Sequence, residues 1–584
     1  MGKIVKEITV ALLILLCTGS VSAVPARRTK ITVRQSDGTE LVVSQRGDEH
    51  FHYYVTDDGL PLLRDANGDF CHAIIEDGKI VSSAILAHDI SRRTEQERAF
   101  IASRGDISGS MSRICQAKVS SRNAARARRV QKARTNGKTA YEGNKRGLVI
   151  LVNFKDVQFR IPSPKEHFLK KLNTHGYSEY NCHGSVSEYF SDQSNGKFNL
   201  TFDVAGPYTL SQNMVYYGGN DSNGNDKRPR EMVEEACRLA AKDDIDYAKY
   251  DWYGDGNVDL VFVVYAGYCE SQCVSIPNPN TIWPHQWELK QKLTFNGKTV
   301  STYACTGELA GEKGITPDGI GTFCHEFSHC LGLPDFYDTN GDAFGMNRWS
   351  LMDYGNYLGE NECGGCPCNY TAYERWCCGW SEPKELTTAA DINDMKSLDS
   401  GNAGYIIYND AHRDEYYILD NRQREGWDSY LPGHGLMVTH VDYNENMWYY
   451  NTVNNDASHQ RCTIIHADDT DGTKKILDLA GDPFPGETVK TELTDTSKPA
   501  ATLFNDNANG TKFMGKSITD ITESGTGLIS FKFMGGIGDA INDVTINGSH
   551  PYDRIIPHNY RQMLPHGIRL KKHDGKTIKF IESK

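Results

Sequence analysis

Residues 325 to 335 read His-Glu-Phe-Ser-His-Cys-Leu-Gly-Leu-Pro-Asp, and no other stretch of the chain narrows its possible folds as far. On a helix, His325 and His329 fall one turn apart on the same face, so both imidazoles reach a single zinc ion. Glu326 stands beside them as a base able to take a proton from an attacking water. Gly332 can enter the left-handed conformation that ends a helix, and Pro334 keeps the helix from resuming. Asp335 is thereby returned toward the two histidines. Three protein ligands leave one zinc position open for chemistry, whereas a structural site uses four.

The remaining sequence sets the frame around this stretch. With 584 residues the chain is several domains long, and 39% hydrophobic residues with 24% charged exclude a disordered or coiled-coil protein. A formal charge of −13 gives no electrostatic reason to bind nucleic acid. Lys3 and Lys6 precede an apolar run from Ile8 to Leu16, and Val21-Ser22-Ala23 has the small-x-small pattern of a leader cleavage site. Residues 1 to 23 therefore read as a signal peptide and the protein as secreted or surface-exposed, with no transmembrane segment. Cys17 follows the large Leu16, which argues against lipid attachment.

Export makes disulfide pairing the default for the other cysteines. The densest group is Cys363, Cys366, Cys368, Cys377 and Cys378, whose Cys-x-x-Cys also suits a structural zinc. Export favours disulfides there.

From about 30 to 90, short β-type runs are separated by Asp58-Gly59, Asn67-Gly68 and Asp77-Gly78, dipeptides of tight hairpin turns. A small β-rich region at 24–105 is expected. Between Arg113 and Arg146 lie eleven bases and one acid, Glu142, a self-repelling run that reads as an exposed linker open to trypsin-like cleavage. Beyond it, Leu148–Val152 and Val258–Tyr265 read as buried strands, and 228–242 and 318–332 as helices. That alternation predicts an α/β layer over 147–385. Short β runs at Tyr405–Tyr408, Glu415–Leu419, Gly435–His440 and Leu528–Phe533 predict a sandwich-like domain over 386–536, and Asp574-Gly575 a hairpin in a tail at 537–584.

A second oxygen-rich stretch spans Asp251, Asp255, Asn257 and Asp259 around Gly256, and its alternating ligands make it a candidate calcium loop. Tyr253 and Phe262 stand where an EF-hand carries ligands, so a turn capped by aspartates is the competing reading.

His-Glu-x-x-His-x-x-Gly-x-x-Asp followed by Ser350-Leu-Met-Asp-Tyr-Gly355 resembles the metzincin peptidases, most closely the immune inhibitor A-like family of secreted bacterial metallopeptidases. The resemblance extends through Val186-Ser-Glu-Tyr-Phe190, Val264-Tyr-Ala-Gly267 and Gly379-Trp380. It implies a multidomain α+β protein: a zincin-like α/β catalytic domain, a β-sandwich-like domain after it and a small pro-region before it. It further implies zinc on His325, His329 and Asp335, a Met-turn at Met352, Glu326 as general base and Tyr354 as a group acting on the transition state. Asp335 stands where many metzincins carry histidine, which leaves Asp338 and Glu374 as alternative ligands. The expected activity is that of a monomeric, zymogenic zinc endopeptidase acting on proteins or peptides. The competing readings are a surface adhesin with structural zinc and a metallo-exopeptidase.

Overall fold

The structure, a computed structural model, describes residues 24–107, 141–536 and 568–581, apart from short stretches within them. The leader with Cys17 and the basic stretch from 108 to 140 with Cys115 lie outside the described residues. Among the described residues no helix is long and apolar enough to cross a membrane.

Six strands make an antiparallel meander in chain order: β1 (Ile31–Arg34), β2 (Glu40–Gly47), β3 (His52–Thr56), β4 (Pro61–Arg64), β5 (Phe70–Glu76) and β6 (Lys79–Leu86). Asp58-Gly59 and Asn67-Gly68 fall at its turns. Helix α1 (Glu95–Arg104) is tied to this sheet through buried Glu97, whose carboxylate contacts His72 Nε2 at 2.9 Å and His88 Nδ1 at 2.8 Å.

The layer that carries the motif is a five-stranded sheet in the order β10-β11-β9-β7-β8, with β7 (Gly143–Asn153), β8 (Phe198–Thr209), β9 (Val261–Tyr268), β10 (His285–Phe295) and β11 (Lys298–Leu309). Only β10 runs antiparallel to its neighbour. Residue alternation sends Val149, Leu151, Phe262 and Val264 to one face and Leu148, Ile150, Val261 and Val263 to the other. The first face is covered by α2 (Pro164–Asn173), α3 (Val186–Gln193) and α5 (Gly321–Cys330), the second by α4 (Pro229–Ala240). Burial on both faces explains why these strands are apolar without alternation. The first strand starts at Gly143, ahead of the expected boundary at 147, and Arg146 pairs with Asp203 on the neighbouring strand.

The β-rich region departs from a separate sandwich. One sheet, in the order β12-β14-β15-β16-β17, comprises β12 (Lys384–Glu385), β14 (Tyr405–Tyr408), β15 (Glu415–Arg422), β16 (Gly435–Asp442) and β17 (Cys462–Ile464). A smaller one orders β13 (Ala390–Met395), β19 (Ile529–Phe533) and β18 (Ile518–Glu523). Ile407, Tyr417, Leu419 and Val438 face the small sheet, as a sandwich requires. Ile406, Tyr416, Ile418 and Met437 point the other way, into the same core that holds Phe323 and Phe327 of α5. The larger sheet is thus a middle layer, and residues 386–536 share a core with the motif-bearing layer. At the C-terminal end, β20 (Ile568–His573) and β21 (Lys576–Ile581) pair antiparallel.

Candidate metal centre and its cleft

Helix α5 is held from behind by aromatic packing: Phe323 stacks on Phe262 with centroids 3.7 Å apart, and Phe202 meets Phe323 and Phe327 edge-on. The helix enters against the segment after Asn356, so closely that a Cβ on Gly321 would lie 1.8 Å from the Asn356 carbonyl oxygen. Only glycine fits there. It ends as the motif requires, with Gly332 at φ +96° reversing the chain and its N–H donating to the His329 carbonyl at 2.9 Å.

The result is a group of three buried side chains, His325, His329 and Asp335. His325 Nδ1 lies 2.8 Å from the Leu351 carbonyl and His329 Nδ1 2.8 Å from the Leu333 carbonyl. Each Nδ1 therefore carries the proton, leaving both Nε2 atoms as lone-pair donors. These two Nε2 atoms are 3.0 Å apart, and Asp335 Oδ1 is 3.1 and 3.2 Å from them. No protein donor reaches Oδ1, which is fully buried. Three electron-pair donors this close, without a proton among them, fit a cation. Their spacing suits tetrahedral zinc with bonds of about 2.0 to 2.2 Å.

Met352 lies in the turn beneath the histidines. Its neighbour Leu351 supplies the carbonyl to His325, and its own carbonyl accepts Phe336 N–H at 2.9 Å. The alternative ligands are engaged elsewhere. Asp338 accepts Ala343 N–H at 2.7 Å, and Glu374 accepts Ser350 Oγ at 2.6 Å and Thr371 N–H at 2.6 Å as the cap of α6 (Ala372–Cys377).

Glu326 is fully buried, and its Oε1 accepts the backbone N–H of Val24 at 2.8 Å. That contact belongs to a segment no sequence signal singled out. Residues 24–28 run through the cleft: Trp283 Nε1 donates to the Val24 carbonyl at 2.9 Å, Tyr357 OH to the Pro25 carbonyl at 2.8 Å, and Arg27 N–H to Ser271 at 2.9 Å. The Val24 side chain is buried against Tyr354 and Tyr357, and the Arg28 guanidinium lies 4.0 Å from the centroid of the Tyr354 ring. Tyr354 thus faces the cleft but is covered.

The candidate calcium residues are consumed by a turn. Asp251 accepts Asp255 and Gly256 N–H groups and the Lys298 ammonium at 2.7 Å, Asp255 accepts Asn257 N–H at 2.9 Å, and Asp259 accepts Trp252 N–H at 2.6 Å. Their carboxylates do not gather as a ligand group. In the cysteine-rich stretch, no disulfide joins Cys363, Cys366 and Cys368. Cys366 Sγ turns toward the Trp427 carbonyl and Ser429, and Cys363 and Cys368 carry free thiols.

A buried carboxylate next to three converging ligand atoms, in a cleft already filled by residues 24–28, suits metal-assisted hydrolysis. Metallopeptidases use such a combination. Comparison with known proteins agrees: residues 138–380 match the family model of the immune inhibitor A peptidase M6 catalytic domain. Over 213 residues the chain is 30% identical to the pre-pro-metalloprotease PrtV of Vibrio cholerae serotype O1, which covers 33% of this chain and 23% of that protein. Immune inhibitor A of Bacillus thuringiensis subsp. alesti is 26% identical over 261 residues, 38% of either chain. The chain therefore spans only about a quarter to two fifths of the length of these relatives.

Proposed function

We propose that the chain is a secreted zinc endopeptidase made as a latent precursor. The observation that carries this reading is the convergence of His325 Nε2, His329 Nε2 and Asp335 Oδ1 beside the buried Glu326. Zinc held by the three ligands would polarise the scissile carbonyl and lower the pKa of the attacking water. Glu326 takes the water proton on a carboxylate oxygen and delivers it to the leaving amine nitrogen. Oε1 already has a chain nitrogen, that of Val24, at hydrogen-bond distance, which is the place a leaving nitrogen needs. Tyr354, on the wall of the same cleft, is assigned to steady charge on the carbonyl oxygen once Arg28 is withdrawn from its ring.

Latency follows from the same contacts. Residues 24–28 occupy the space a substrate would take, so the block is steric. Cleavage in the basic stretch would detach the first sheet together with this plug. The test is to purify the chain beginning at Val24, determine its zinc content, and follow digestion of a denatured protein before and after limited trypsin treatment. We expect one zinc per chain, weak activity before treatment, internal fragments after it, and a new amino terminus between about residues 127 and 147. Full activity of the uncut chain would reject latency, and release of terminal amino acids alone would reject the endopeptidase reading.

A further inference from the structure

Two oxygens of Asp335 have different partners. Oδ1 faces the histidines, whereas Oδ2 accepts a hydrogen bond at 2.5 Å from the Nδ2 of Asn451, a residue of the β-rich region. The same amide returns the contact: Asn451 Oδ1 accepts the Asp335 backbone N–H at 2.7 Å. One side chain thus grips both the main chain and the carboxylate of the third ligand, which fixes the direction of the carboxylate plane. Asn451 is itself buried and held at φ +56°, a left-handed conformation that asparagine tolerates better than most residues.

Its neighbours run along the loop that follows the ligand. Asn454 Nδ2 donates to the Phe336 carbonyl at 2.7 Å, Asn455 Oδ1 accepts Thr339 N–H at 3.2 Å, and Gln460 Oε1 accepts Gly345 N–H at 2.7 Å. Of this row, Asn451 is the one that reaches a ligand.

We propose that Asn451 is a positioning residue for zinc, supplied to the catalytic layer by the β-rich region. The proposal rests on the zinc reading given above. An aspartate ligand can bind through one oxygen or both. A donor on Oδ2 withdraws that oxygen, stabilises the carboxylate charge and leaves Oδ1 to bind alone, which keeps a coordination position open for the reaction. Through this contact the seating of residues 445–464 sets the metal affinity of a site 116 residues earlier in the chain.

The experiment compares Asn451→Ala and the isosteric Asn451→Asp with Asn455→Ala, which loosens the same contact zone without touching a ligand. In the full chain, zinc affinity is measured by chelator competition, the visible spectrum is recorded after cobalt substitution, and melting temperatures are determined. Both Asn451 variants should lose about 10- to 100-fold in zinc affinity and shift the cobalt bands, the range common for removal of a group that orients a ligand. Asn455→Ala should lower the melting temperature while holding affinity within about twofold and the spectrum unchanged. Asn451→Asp covers the case in which the alanine variant fails to fold. Asn451 variants that keep wild-type affinity and spectrum overturn the proposal while leaving the zinc reading intact. A wild-type chain that binds no zinc overturns both.

Discussion

Replacing Glu326 by glutamine separates chemistry from architecture more sharply than any other single change. The amide has the size of the carboxylate, so the core around α5 loses no volume. Its oxygen can still accept the Val24 N–H that Oε1 accepts at 2.8 Å, so the covered state of the cleft is kept. None of the three ligand atoms is altered, and each histidine keeps its carbonyl partner at 2.8 Å. Zinc content should therefore remain one per chain. Stability should change by no more than about 1 kcal/mol, because a fully buried carboxylate is exchanged for a neutral group of equal shape. The rate should fall by about 10² to 10⁴, an increase of roughly 3 to 5 kcal/mol in the barrier, since amide nitrogen cannot take the water proton. Both proteins are treated with trypsin, their zinc is measured, and kcat/KM is compared on a quenched peptide. A glutamine variant with full zinc and activity within about fivefold of wild type would refute the role of Glu326. A variant that loses zinc would show that Glu326 also supports the ligands.

Two further outcomes follow from buried carboxylates. Asp335→Ala should abolish zinc binding, whereas Glu374→Ala should retain zinc and lose stability, because Glu374 serves Ser350 and the α6 cap; metal analysis beside melting curves decides, and the reverse pattern would move the third ligand to Glu374. In the β-rich region, burial opposes the charge of Glu415, but His440 at 2.9 Å and the Phe504 N–H outweigh it and lower its pKa from the ordinary 4.5 to about 2. A depressed folded-state pKa contributes stability that is present above pH 4.5 and lost as the pH falls toward 2, about 3 kcal/mol for this shift. The gap in denaturant midpoint between wild type and Glu415→Gln should thus be constant above pH 5 and close below pH 4. A gap that is unchanged down to pH 2 contradicts the argument.

What was legible in the sequence divides by the range of the interactions. His325, Glu326, His329, Gly332 and Asp335 could be read because helix periodicity and one turn place all of them within eleven residues. The meander before them was equally local, its turns marked by Asp58-Gly59 and Asn67-Gly68. The Asp251 loop shows the converse. Its oxygens were visible in sequence order, but Lys298 and the backbone N–H groups that consume them come from the fold. Nothing in the local sequence announced Asn451 or the course of Val24 past Glu326, because each acts across more than a hundred residues.

The division at residue 385 shows how a boundary drawn from residue patterns differs from one drawn by burial. Tyr416-Tyr417-Ile418-Leu419 is apolar at every position, whereas a strand with one wet face alternates. That run states that both faces are covered, and the structure gives each face a partner: Tyr416 and Ile418 meet the core of α5, Tyr417 and Leu419 the small sheet. Arg422, on the same strand, is fully buried and donates from Nη1 to the Trp349 carbonyl at 2.9 Å, three residues before Met352. Removing one partner from such a buried charge costs several kcal/mol, so the turn under the histidines depends on β15. The family match ends at residue 380. The physical unit that holds His325, His329 and Asp335 in place does not end there: its core continues through β14, β15 and β16, and the amide that grips Asp335 comes from residue 451.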